Sequence, residues 1–151
     1  MNRRAFVIGV AATAGAVLLK ADASEESFSD VGWILGPDEE QVLRFAKGSV
    51  ATLTASSTDS EGIVLVVLGR AEDRKDKPVL GPVKMDVLFT WFQDDGVNRV
   101  PASFLFYDWN IPRSLPTGRY RALFFDSKDY AKKQAGGSVI ARIYFIDVTE
   151  P

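Results

Sequence analysis

The sequence predicts an all-β protein, an antiparallel two-sheet sandwich of about seven strands. Three observations carry this. Short runs rich in β-branched and aromatic residues recur along residues 41–148. Clusters of Gly, Pro, Asp and Ser separate them. No stretch forms a clear helix by apolar spacing. Seven strands at this spacing fit two stacked sheets, with a jelly roll or a small barrel as alternatives.

The elements follow in order. Residues 31–35 (VGWIL) are a short apolar patch closed by Gly36 and Pro37. Residues 41–45 (QVLRF) follow Pro37 and three acids, a lead that suits a helix start. Gly48 ends the stretch within about ten residues and an alternating segment follows at once, so a strand is expected. Residues 49–56 (SVATLTAS) have β-rich composition. Residues 58–62 (TDSEG) are a turn. Residues 63–68 (IVLVVL) are continuously apolar and too short for a helix, hence a buried strand. Residues 70–77 (RAEDRKDK) are a charged loop. Residues 83–92 (VKMDVLFTWF) alternate in part and place Met85, Val87 and Phe89 on one face. Residues 102–107 (ASFLFY) and 121–125 (RALFF) are further strands. Residues 126–137 (DSKDYAKKQAGG) are a long polar loop. Residues 139–148 (VIARIYFIDV) are the last strand.

The segment LPTGRY, residues 115–120, leads directly into a strand. This pattern resembles immunoglobulin-like and fibronectin type III-like domains, in which a Tyr locks the corner before the sixth strand. The resemblance implies that Tyr120 bonds back to nearby backbone. It implies that Pro116 sets the turn and Gly118 takes a conformation other residues resist. The cysteine pair of antibody domains is missing. Trp91 is a candidate for the core tryptophan of such domains.

The chain opens with Arg3 and Arg4, then an uncharged apolar run over residues 5–19, then Lys20 and the small residues Ala21 and Ala23. This is the three-part plan of an export signal. The run falls short of the roughly 20 residues that span a bilayer. Arg3, Arg4 and Phe6 resemble the twin-arginine signal. The general secretory route and an uncleaved anchor are the alternatives. Cleavage after Ala23 implies a periplasmic or secreted protein that meets the membrane only in transit. The expected plan is a signal over residues 1–23, a flexible leader over 24–36 and a sandwich domain over 37–151.

Removing 23 of 151 residues leaves 128, enough for one domain with a real core. That cut takes three of 18 basic and one of 20 acidic residues, leaving 15 and 19, a net charge near −4. No basic face for nucleic acid is visible. The chain has neither Cys nor His. This removes the Ser-His-Asp triad, thiol catalysis, His/Cys zinc sites and thiolate haem or iron–sulfur ligation. No cofactor is expected.

Candidate sites are therefore surfaces. Tyr107, Asp108 and Trp109 form an aromatic–acid–aromatic group, expected in a loop, that suits stacking, and Arg113 after it suits carboxylate pairing. The competing reading has Trp109 closing the end of the sandwich. Trp91 and Phe92 point to opposite faces of one strand, so one belongs to the core and the other to a partner. Asp94, Asp95 and Asn98 offer oxygens for calcium, but a hairpin turn explains them better. The expected function is a non-catalytic module that binds an envelope or periplasmic protein through the sandwich loops. The alternatives are a carbohydrate-binding module using exposed aromatics, and a hydrolase using paired acids such as Asp94 and Asp95.

Overall fold

The structure, a computed structural model, describes residues 27–29, 31–35, 42–70, 77–94 and 96–151. Arg3, Arg4, Phe6, Ala21 and Ala23 of the expected signal lie outside these residues. The described elements are β1 (Gly32–Leu35), β2 (Val42–Ala46), β3 (Val50–Ser57), β4 (Ile63–Leu68), β5 (Pro78–Lys84), β6 (Asp86–Asp94), β7 (Arg99–Asn110), β8 (Gly118–Asp126), α1 (Ser127–Gln134) and β9 (Ile140–Thr149).

The strands form two sheets. One runs β1–β9–β8–β4–β5, with β2 also paired to β9; the other runs β3–β7–β6. This is the expected all-β two-sheet sandwich. Strands β3, β7 and β6 share one sheet, while β4, β8 and β9 form the middle of the other. The antiparallel expectation fails at one edge, where β1 and β2 both run parallel to β9. They occupy successive stretches of it, Gly32 opposite Ile140 and Val42 opposite Phe145.

Strand β4 explains the layering. Ile63, Leu65 and Val67 enter the core between the sheets with Leu53, Leu105 and Trp109. Val64, Val66 and Leu68 enter a second core with Phe28, Leu123, Phe125 and Tyr130. All six β4 residues are buried. A strand covered on both faces has no side to give to polar residues, which is why its run is unbroken.

The second core corrects two expectations. Residues 24–36 were expected as a flexible leader, yet Phe28 and Val31 are buried and β1 joins the sheet. The Phe28 ring lies 6.0 Å from that of Phe125 and under the Lys133 ammonium at 4.2 Å. Residues 126–137 were expected as a loop, yet α1 covers this core with Tyr130, whose ring meets Phe125 edge-on at 5.7 Å. Asp129 in its first turn and Lys132 and Lys133 in its last complement the helix dipole. Gly136 then takes φ +88° and its N–H closes on the Lys133 carbonyl. The helix needs only one buried residue because it covers only one patch.

The strand expected over residues 83–92 divides at Met85. Met85 is buried, and its N–H donates to the Ile63 carbonyl at 2.9 Å. There the chain leaves one sheet for the other, and the expected shared face of Met85, Val87 and Phe89 does not form: Val87 pairs with Leu105 and Phe89 with Phe104, neighbours that point to opposite faces. Gly81 has φ +82°, and a Cβ there would collide with the Leu65 carbonyl. Only glycine lets β5 approach β4 so closely.

Candidate functional site

The corner forms as the resemblance implies. The Tyr120 hydroxyl donates to the Pro116 carbonyl at 2.5 Å, and its ring is buried. Gly118 opens β8 at φ 146°. These residues are architecture.

The expected aromatic loop is not a loop. Tyr107 and Trp109 lie within β7, opposite Leu53 and Ala51 of β3. Alternation turns both toward the core. Trp109 is 3% exposed and has the small Ala51 across from it, so it offers no stacking platform. Tyr107 is half-buried against the same core. Arg113 is exposed and crosses the turn at Gly48, where a Cβ would come within 3.0 Å of its side chain. Trp91 lies far along the hairpin, opposite Ala102. The four expected surface residues therefore do not converge. Of their two tryptophans, Trp109 and not Trp91 is buried in the core.

Among the described residues the exposed large apolar side chains gather on the β6–β7 hairpin, with Val50 and Ile140 exposed singly elsewhere. Val87, Leu88, Phe89 and Phe92 are each more than half exposed. Leu88 is an extra residue in the ladder, a bulge between the pairs Val87–Leu105 and Phe89–Phe104. Beyond it Phe89 and Trp91 share a face, with ring centroids 5.6 Å apart, and Phe104 stacks on Phe89 at 5.4 Å. Phe92 points the other way, beneath the Arg99 guanidinium at 5.6 Å. Both faces of β6 thus carry aromatic surface. Sequence alternation detected the pair Trp91 and Phe92. It could not show that both stay accessible, because that depends on the hairpin extending past the opposing sheet. The Asp94 carboxylate accepts the Gly96 N–H at 2.8 Å, as a hairpin turn requires. Asp95 lies outside the described residues.

Beside Trp91 is a cleft of about 260 Å³, lined by residues of both sheets, among them Ser57, Thr58, Trp91, Gln93, Asp126 and Arg142. Its polar wall is braced internally. Ser57 Oγ donates to Asp126 at 2.7 Å, and Arg142 donates to the Ser56 carbonyl at 3.1 Å while standing 3.8 Å from Asp126. The sequence reading missed Asp126 and Arg142. They sit in different strands, so no local motif joins them.

The strongest charge pair lies elsewhere on the larger sheet. Arg119 donates twice to Asp147 directly across the β8–β9 ladder, at 2.8 and 3.1 Å. The Arg119 hydrogen bond holds the Asp147 carboxyl below its ordinary value; burial opposes this, and the charges of Arg119 and Arg44 assist. Among the described residues no cluster of three or more acidic side chains is placed to hold a metal ion.

Fold and surface together define a two-sheet β-sandwich with an apolar hairpin and a small polar cleft beside it. No protein-family model matches the chain, and no curated protein or solved structure shows significant similarity to it.

Proposed function

We propose that the chain is an exported, non-catalytic binding module of the periplasm or cell envelope that holds a protein partner on its β6–β7 hairpin. One observation carries this reading. Val87, Leu88, Phe89 and Phe92, clustered on the one strand β6, are each more than half exposed. Contiguous exposed apolar surface marks interaction sites, whereas single exposed residues do not. The reading therefore places the partner on the hairpin strands and not on the sandwich loops. The export signal over residues 1–23 supports the compartment.

The test is crosslinking capture of the tagged full-length chain from intact cells, run beside a Leu88→Lys, Phe92→Lys variant. Both positions are exposed, so each change should alter stability by no more than about 0.5 kcal/mol. An envelope protein captured in stoichiometric amount by the native chain and lost with the variant supports the reading. The mature N-terminus should then lie near Ser24. No captured protein, or equal capture by both chains, refutes it.

A second reading rests on the cleft. An aromatic face beside amide, hydroxyl and charged groups suits one sugar ring. Its volume lies below the roughly 300–1,000 Å³ of most ligand pockets, so a single residue fits better than a chain. Quenching of tryptophan fluorescence by monosaccharides, abolished in Trp91→Phe, would support it. A flat response across a broad panel would remove it.

A further inference from the structure

We propose that the outer edge of β6 receives an extended strand of the partner, apolar in its middle and basic at both ends. This deepens the hairpin reading above and rests on it.

Strand β6 pairs with β7 on one side only, and among the described residues no strand lies along its other edge. Such an edge presents unpaired backbone N–H and C=O groups, a template for one more strand. Two other edges are poorer templates. Strand β5, at the end of the larger sheet, contains Pro78 and Pro82, which lack the N–H donor an added strand would need. Strand β3, at the far edge of the smaller sheet, offers only the polar side chains Thr52, Thr54 and Ser56 on its exposed face, and the Ser56 carbonyl already accepts from Arg142. Strand β6 has no proline, and its charges stand only at its ends, Asp86 and Asp94. Between them an incoming strand finds Phe89 and Trp91 on one face and Phe92 on the other. Cross-strand neighbours of this kind stabilise pairing on both faces.

Charge selects the occupant. A second copy pairing antiparallel about Thr90 would match Phe89 with Trp91 and Leu88 with Phe92. The same register sets Asp86 against Asp94 at both ends. Like charges directly opposed across strands are destabilising. Arg99 offsets Asp94 only from the β7 side, where the two residues are ladder partners. A strand with Lys or Arg at each end keeps the apolar matches and meets both acids.

The experiment titrates the mature domain with two labelled nonapeptides of alternating valine and threonine, one with a lysine at each end and one with a glutamate at each end, followed by fluorescence anisotropy. The lysine-ended peptide should bind about tenfold more tightly at low salt. Asp86→Lys combined with Asp94→Lys should reverse the preference. Equal binding of both peptides, or binding of neither, overturns the proposal. So does sedimentation showing a dimer that Leu88→Lys dissolves, since a second copy would then occupy the edge. If capture from cells succeeds while the peptide preference fails, only this inference falls. If capture fails, the hairpin reading falls with it.

Discussion

The Tyr120 hydroxyl reaches back four residues to the Pro116 carbonyl, and this 2.5 Å bond ties the corner to the first turn of β8. Its ring is among the largest fully buried side chains. Ring and hydroxyl are separable by mutation. Tyr120→Phe keeps the ring and should cost about 1 kcal/mol, the net worth of one hydrogen bond. Tyr120→Ala should cost about 3–5 kcal/mol through lost burial and a cavity. Urea unfolding monitored by circular dichroism measures both. Equal costs would show that the hydroxyl dominates.

Trp109 and Trp91 should behave oppositely. Trp109→Ala opens a hole beside Leu53 and Leu105 and should cost about 3–5 kcal/mol. Trp91 is only half-buried on the hairpin, and Trp91→Ala should cost about 1 kcal/mol, the centre of the general range. Chemical denaturation of the two variants decides the order. The reverse order would contradict the placement of Trp109 in the core.

Phe28 tests where the domain begins. Its ring is 3% exposed and packs on Phe125. Phe28→Ala should cost about 3 kcal/mol if that packing is part of the folded unit. Hydrogen exchange should show protection of Val31 and Gly32, whose N–H groups bond to the carbonyls of Phe28 and Val139. An unchanged midpoint with fast exchange at both residues would return residues 24–36 to a leader.

The Arg119–Asp147 pair gives the molecule a predictable acid response. Folding lowers the Asp147 pKa, first through the Arg119 hydrogen bond. A group depressed in the folded state contributes stability above its unfolded value, near pH 4, and loses it as pH falls through the folded value. Asp147→Asn should therefore destabilise slightly at pH 7. The difference from the native chain should shrink once the pH falls below about 4 and vanish only below the folded value of Asp147. The effect is small because the pair is partly solvated. Thermal melts from pH 7 to pH 2 give the comparison, and a constant difference across the range would exclude the linkage.

The legibility of this fold varied with the range of the physics. The β4 run and the Leu-Pro-Thr-Gly-Arg-Tyr corner depend on neighbours in sequence, and both were readable. Helix α1 was not, because Tyr130 is its only buried residue and periodicity needs several. Its end signals were present in Asp129, Lys132, Lys133 and the glycines that follow, and weighing them would have found it. Parallel docking of β1 and β2 on β9 joins opposite ends of the chain and leaves no local trace. The surface residues failed for the same reason. Trp109 and Trp91 both lie in alternating strands, and only the extent of the opposing sheet decides which one is covered.

The parallel seam on β9 also sets how the domain would bear load. The start of β1 lies beside Ile140, while the end of β2 lies beside Thr149, near the last residue. Traction applied through residue 27 and residue 151 would pull these strands past one another along their length. Their ladder bonds would be strained together instead of parting one at a time, as at the end of a hairpin. In a single-molecule extension experiment the domain should yield at higher force from these two points than from residues 96 and 151, whose traction meets the smaller sheet at the hairpin turn. A module placed between an envelope anchor and a partner would then hold under tension along one axis and open readily along another.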